Sequence, residues 1–289
     1  MIEEGNFIFD SIEKIGNSLI QHGLSNQRIY LIKYDPQDRL ILFDKFKELV
    51  RLYNYSKIFV KIPQNEKAFF LSQGFEVEGF VPDFWKDQTC FFMSRFLTEE
   101  RRVIKVPEMD KIEEVLKISQ SKSASFVNFI LPLEGKYQIK IITEEHLFSL
   151  ANLYQATFIS YPFPIFDENY LRQTKNDSVI YFGVFTQDDL VAASSVEIDY
   201  DSQSGEMTDF AVKPEHRGQK LALFLLKRME EEVRNFGIRT AYTIARSLSF
   251  AMNSTYSRAG YSYGGRLVNN TNIAGKIESM NVWHKKLEL

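Results

Sequence analysis

Cysteine is almost missing from this chain: Cys90 is the only one among 289 residues, so no internal disulfide framework is available and a reducing compartment is expected. Metal-ligand spacing is missing too. The four histidines (His22, His146, His216, His284) are scattered, no His/Cys cluster forms, and no metal is expected. Nowhere do about 18 apolar residues run together, which excludes a helical membrane span. The segment Met1-Ile-Glu-Glu-Gly5 has no basic stretch before an apolar run, so no signal peptide is expected. A net charge of −3 gives no general attraction to nucleic acid or to an anionic membrane. What is present, 44% apolar and 25% charged residues, is ordinary for a soluble globular protein. The expectation is a cytoplasmic protein with two modest domains or one large one.

The chain is organised around Glu206–Ala222, Glu-Met-Thr-Asp-Phe-Ala-Val-Lys-Pro-Glu-His-Arg-Gly-Gln-Lys-Leu-Ala. Its first seven residues alternate like a strand, and Lys213-Pro214 ends it because proline has no amide hydrogen for a ladder. Arg217-Gly218-Gln219-Lys220-Leu221-Ala222 then runs into an apolar stretch of helical period, Leu221–Phe236. A strand, a tight turn and a helix start together make an anion site, because free first-turn amides and the positive end of the helix dipole point at the turn. Such a site suits a pyrophosphate.

At these residues the chain resembles the GNAT acetyltransferase family, whose acetyl-CoA loop reads Arg/Gln-x-x-Gly-x-Gly/Ala. Arg217 and Ala222 match the ends of that pattern, and Lys220 stands where the family usually has its inner glycine. The resemblance implies acetyl-CoA as co-substrate, held by Phe210, Ala211 and Val212 on the strand and by the loop from Arg217 to Ala222.

The rest of the chain supports that layout. From Tyr137 the pattern reads strand, two helices, three strands, helix, strand, helix, two strands, which is the order of a complete GNAT domain over residues 136–289. Residues 1–135 are expected to form a degenerate GNAT-like half and a connecting segment, with Ser119–Ser125 as candidate linker. There, Ile12–Gln21 reads as a helix closed by Gly23, followed by a strand at Arg28–Tyr34, a helix over Leu40–Tyr55 and a strand at Lys57–Ile62. The motif Phe70-x-x-x-Gly74-Phe75-x-x-x-Gly79 has the spacing of Tyr256-x-x-x-Gly260-Tyr261-x-x-x-Gly265, so two related units are expected. The N-terminal one is read as the second half of the fold, beginning at Arg28. The expected fold class is α/β, a mixed sheet flanked by helices.

Acetyl transfer to an amine needs a neutral nitrogen. Freeing the lone pair of an amine with a pKa about 3.4 units above neutral costs about 4.6 kcal/mol, which calls for a base. Glu206, six residues before Val212, holds the place of the glutamate base in some family members, or is a solvated strand-edge glutamate. Asp209 points to the opposite face by strict alternation. Tyr256 holds the family's tyrosine position, as acid toward the CoA sulfur or as a packing residue. Asn253, one helical turn earlier, is a candidate for the pantetheine or pyrophosphate arm, and Ser249 reads as the N-cap of that helix. Cys90, in the N-terminal unit, is not expected to carry an acyl group.

For the acceptor, the aromatic loop Tyr161-Pro-Phe163-Pro-Ile-Phe166 is either a pocket wall or a rigid strap. The amide-rich segment from Asn269 to Trp283 reads as a loop, with Asn270, Asn272 and Glu278 available to a small zwitterion. With Ile58–Pro63 and Phe70–Phe75, this segment makes nearly the whole chain resemble the bacterial and archaeal β-lysine N-acetyltransferases. That resemblance implies a small-molecule diamino acid as substrate, acetylated on its side-chain amine to an osmolyte. An acetyltransferase for another small amine, or a non-catalytic acyl-CoA sensor, remains open from the residues alone.

Overall fold

The computed structural model describes residues 10–123, 133 and 135–288. The chain opens with strands Ser11–Ile15 (β1), Ser18–Gly23 (β2) and Arg28–Lys33 (β3), then helix Arg39–Tyr53 (α1) and strand Lys57–Pro63 (β4). A short helix Lys67–Ser72 (α2) and strands Glu76–Trp85 (β5) and Gln88–Phe96 (β6) follow. Helices Glu99–Arg102 (α3) and Val106–Gln120 (α4) lead to strand Gln138–Ile141 (β7) and helices Leu147–Thr157 (α5) and Glu168–Asp177 (α6). Strands Val179–Thr186 (β8), Asp189–Asp199 (β9) and Ser204–Val212 (β10) precede helix Leu221–Arg234 (α7). Strand Thr240–Arg246 (β11), helix Phe250–Arg258 (α8) and strands Ser262–Ile273 (β12) and Lys276–Lys286 (β13) close the chain. From β7 onward the element order is the expected one. The linker expected at Ser119–Ser125 begins inside α4 and then leaves the described residues.

Two expectations for the N-terminal half are corrected. Ile12–Gln21 is a hairpin and not a helix: β1 and β2 pair antiparallel around Gly16-Asn17, with Gly16 at a φ of 61°. Ile12, Ile15, Leu19 and Ile20 fall at helical spacing, but a glycine at the first position of a two-residue turn decides for a hairpin. This half therefore does not begin at Arg28, because two strands precede β3.

All thirteen strands form one sheet, ordered β1-β2-β3-β4-β6-β5-β12-β13-β11-β10-β9-β8-β7. The two halves meet where β5 and β12 pair antiparallel at Gly79 and Gly265. In strand order β3 and β10 are seven steps apart, about 33 Å in a flat sheet. Yet Lys33 Nζ lies 3.8 Å from Asp201 at the start of β10, and Gln21 Nε2 donates to the Pro162 carbonyl at 3.3 Å. The sheet therefore curls back on itself, as accumulated strand twist allows.

Helices cover the outside of the curl. α1 and α2 bury Leu42, Phe46 and Phe70 against the first half, while α7 and α8 bury Leu225, Met229 and Tyr256 against the second. α5, α6 and the aromatic loop cover β8–β10 from the other side through Leu150, Tyr154 and Leu171. The inner face between the halves is a shared core of Phe59, Phe84, Cys90, Phe92, Tyr242, Met280 and Val282. Phe84 and Tyr242, one from each half, stack edge-on with centroids 5.1 Å apart. Both halves thus point one face toward the middle of β10 and β11.

Candidate active site

β10 and β11 are parallel neighbours only over Ser204–Glu206 and Thr240–Tyr242. Beyond that rung β10 stays with β9 and β11 stays with β13, so the two strands part. A β-bulge on β10 between Thr208 and Ala211, with Asp209 at a φ of 57°, accompanies the divergence. A cleft of about 660 Å³ opens between the strands. Thr208, Phe210 and Val212 line one wall, Thr243–Arg246 the other, and Tyr256 and the start of α7 close it.

The α7 end of the cleft matches the anion site read from the sequence. Arg217, Gly218, Lys220, Leu221 and Ala222 line it, and α7 starts with no side-chain cap. Its amides before Leu223, which itself bonds the Lys220 carbonyl, therefore remain available to a ligand. Lys220, in place of the expected glycine, adopts the left-handed conformation a glycine would take, with φ 60°. That conformation costs a non-glycine residue about 1 kcal/mol. Lys122 and Arg258 add positive charge along the same cleft, and Arg246 lines it while ion-paired to Glu278. Ala211 and Gln219 do not line it; Ala211 is buried under α5 and α6 because the bulge turns it to that side. An uncapped helix start, a glycine with open space around it (Gly218) and a basic wall fit a pyrophosphate-containing ligand.

Three carboxylates gather beside the cleft: Asp209 lines it, Glu197 lines the smaller cavity next to it, and Glu206 stands beside Glu197 on the neighbouring strand. Glu206 and Glu197 are partners across β10 and β9, so their side chains share a face. The bulge brings Asp209 to that face as well, against the alternation expected: its Oδ2 accepts from Ser195 Oγ at 2.5 Å and its Oδ1 accepts from the Tyr161 hydroxyl. Burial raises the pKa of Glu206; the Lys61 ammonium and a hydrogen bond from Tyr242 pull it back in part. Enclosure between the halves, then Glu206 and Asp209, raise Glu197, although its side chain stays exposed to solvent there. Burial also raises Asp209, against its hydrogen bonds from Ser195, Tyr161 and Thr208. Three such groups in one place are a site for moving a proton or holding a cation.

Tyr256 lies across from them, almost fully buried. Its hydroxyl donates to the Met207 carbonyl on β10 and accepts from Thr243 Oγ1 on β11, both at 3.1 Å, so it bridges the parting strands. Burial raises its pKa far above neutral, and it keeps its proton. Tyr161 lines the main cleft and also a second cavity of about 170 Å³, shared with Phe163, Tyr170, Glu197 and Asp209. The aromatic loop thus borders both cavities and also packs on the core, where Ile165 is buried.

Other candidates serve elsewhere. Asn253 has 0% exposure and its amide is satisfied inside the protein. It donates to the Arg246 and Ser249 carbonyls and accepts from Asn281 Nδ2 and Trp283 Nε1, at 2.8–2.9 Å. It ties α8 to β13 and does not reach the cleft. The segment from Asn269 is not a loop but the end of β12 and the start of β13. Asn270 and Asn272 face the N-terminal half: the Asn270 carbonyl accepts from Arg28, and Asn272 Nδ2 donates to Ser25 O at 3.0 Å. Glu278, 2% exposed, is held by both Arg246 Nε and Nη2 at 2.9 Å and is not free for an ammonium. Ser249 caps α8 as expected, accepting from Met252 N at 3.4 Å. Sequence reasoning missed Glu197, whose only signal was its place beside Glu206 in a hairpin register.

The acetyltransferase (GNAT) family model matches residues 147–261, from α5 to the end of α8. A beta-lysine N(6)-acetyltransferase of Methanococcus maripaludis is 37% identical over 279 residues, 96% of this chain and 100% of the relative. The chain belongs to the GNAT acetyltransferase family. An N-acetyltransferase of Bacillus subtilis, YodP, is 31% identical over 96% of this chain and 99% of its own length. A beta-lysine N(6)-acetyltransferase of Methanosarcina mazei is 27% identical over 83% of this chain and 95% of its own. As a GNAT N-acetyltransferase the protein takes its acetyl group from acetyl-CoA. No described helix is long and apolar enough to cross a membrane.

Proposed function

We propose that this acetyltransferase acts on the side-chain amine of β-lysine, giving N6-acetyl-β-lysine by direct attack of the amine. The observation that carries the reading is the cluster of Glu197, Glu206 and Asp209 beside the cleft, which Asp209 lines. A diamino acid brings two ammonium groups, and such a cluster both attracts them and takes a proton from one. The names of two relatives, matched over most of both chains, support β-lysine as the acceptor.

Arg217, Lys220 and the first turn of α7 hold the donor's phosphates. Bound there, acetyl-CoA supplies an acyl group activated as a thioester. Glu206 takes one proton from the acceptor ammonium, which makes the nitrogen a nucleophile. The Tyr256 hydroxyl supplies a proton to the sulfur as the C–N bond forms and the C–S bond breaks, and the second proton lost by the nitrogen restores the hydroxyl. Tyr161 and Phe210 keep water from the reacting atoms. Removing the side-chain charge converts a cation into a zwitterion with no net charge, the charge state suited to an osmolyte.

The test is purified protein with acetyl-CoA and a panel of β-lysine, α-lysine, spermidine and an amino sugar, read by thiol release and product mass. Highest kcat/KM on β-lysine, with acetyl on N6, is the expected result. Preference for spermidine or the amino sugar overturns the assignment of the acceptor while leaving the acetyltransferase intact.

A further inference from the structure

We infer that Lys61, from the N-terminal half, binds the carboxylate of the acceptor and so sets this enzyme's preference for an amino acid over a plain diamine. The inference rests on the proposed acceptor.

Strand β4 carries Lys57, Phe59 and Lys61 on one face, the face that joins the shared inner core with Tyr242. The two lysines have different fates. Lys57 is completely buried, with its ammonium 2.8 Å from Glu78 Oε2 and donating to the Val268 carbonyl at 2.7 Å. Lys61 makes no hydrogen bond or ion pair among the described residues, and its Nζ stands 5.4 Å from the centre of the Phe84 ring. A half-buried ammonium in that condition is costly unless a ligand or water completes it.

Its surroundings place it beside the carboxylate cluster. Glu206 is paired with Tyr242 across β10 and β11, and Tyr242 stacks on Phe84, the ring beneath Lys61. Burial lowers the Lys61 pKa, but Tyr30, Cys90, Glu206 and Asp199 together more than offset it, so the group is charged. The field of Lys61 is also felt at Glu197. The curl of the sheet, fixed by the Lys33–Asp201 and Gln21–Pro162 contacts, is what brings a β4 side chain to a β10 carboxylate.

The site therefore has carboxylates on one side and a single unpaired ammonium on the other. A chain bearing an amine at one end and a carboxylate at the other matches that polarity, with the amine on Glu206 and the carboxylate on Lys61. A polyamine has nothing to give Lys61 and leaves it a buried cation facing another cation.

The experiment measures kcat/KM of wild type, Lys61→Met and Lys61→Arg on β-lysine and on 1,4-diaminopentane, the same carbon chain without the carboxylate. In Lys61→Met, kcat/KM on β-lysine should fall roughly 100-fold, mainly through KM, while the diamine is used as well as or better than by wild type. Lys61→Arg should restore part of the β-lysine activity. Equal loss on both substrates, with a shifted pH–rate profile, would show that Lys61 only tunes Glu206 and overturns the inference. Unchanged preference in Lys61→Met overturns it too. Wild-type inactivity on β-lysine is a separate outcome that overturns the acceptor itself. Diamine turnover by the variant reports that it is folded.

Discussion

Gly79 and Gly265 are Cα partners across the seam between β5 and β12, and each ends the same motif in its own half. The seam is thus a self-contact between two copies of one pattern, and the relation between the copies is a pseudo-two-fold through these glycines. Gly265 sits at a φ of 131°, and a Cβ there would overlap the Glu78 carbonyl oxygen and come within 2.6 Å of Gly79 Cα. Both obstacles are backbone and cannot step aside. Gly265→Ala should therefore cost about 4 kcal/mol or more, and lower the melting temperature by roughly 10 °C. Gly237→Ala is the control: its φ is 74°, but nothing lies within 4 Å of the added carbon, so the loss should be near 1 kcal/mol. Equal melting temperatures for the two variants would show that the close approach at the seam carries no strain.

Much of this architecture was legible because local signals agreed with it. Leu221–Arg234 announces itself by period, and the repeat around Gly74 and Gly260 returns as the matching orders β3-α1-β4-α2-β5 and β10-α7-β11-α8-β12. The failures have local causes. Ile12–Gln21 obeys two periods at once, and only Gly16 resolves it. Asp209 follows the bulge and not the alternation, so a residue set aside on parity stands beside Glu206. The asparagines at 270 and 272 and Glu278 looked available because polarity is visible in sequence and a buried partner is not. Their partners, Arg28, Ser25 and Arg246, come from remote strands and loops that only the fold brings near. The same holds for Lys61.

Glu206→Gln tests the base. Burial holds the Glu206 pKa above the ordinary carboxylate range, so the wild-type rate should fall on acidification as the carboxylate takes up a proton. The variant has no such group. Its rate should be lower by roughly 100-fold at neutral pH and should rise with pH as the acceptor amine loses its own proton near pH 10.4. The gap to wild type should narrow steadily across that range. A pH–rate profile parallel to that of wild type would remove Glu206 from proton transfer.

Tyr256→Phe tests the acid and separates it from packing. The ring remains, so acetyl-CoA affinity should change by no more than about threefold while kcat drops roughly 100-fold. Losing the hydroxyl also leaves the Met207 carbonyl and Thr243 Oγ1 without a partner, and about 1–2 kcal/mol of stability should go with it. The melting temperature and kcat are read on the same preparation. Lost stability with full kcat would assign the hydroxyl to holding the parting strands together and nothing more.

The last prediction is that one chain binds one acetyl-CoA, although it carries two copies of the strand-turn-helix. In the first copy the turn between β3 and α1 is Asp35-Pro36-Gln37-Asp38, and it sets two carboxylates where the proposed site of the second copy would hold phosphates. Asp38 Oδ2 accepts from the amides of Asn17 and Ser18 at 2.7 and 2.8 Å and from Ser18 Oγ at 2.8 Å. Asp35 Oδ1 takes the Gln37 amide at 2.9 Å, and Pro36 has no amide to offer. Bringing a phosphate to two carboxylates adds a repulsion on the order of 1 kcal/mol each even in solvent, and it finds the nearby donors already used. The second copy has no such occupant: α7 starts uncapped beside Arg217 and Gly218. Calorimetry on the full chain should give one site, and Arg217→Glu should abolish the binding heat altogether. A second site of comparable affinity, or full residual binding in the Arg217→Glu chain, would show that the turn before α1 still takes the nucleotide.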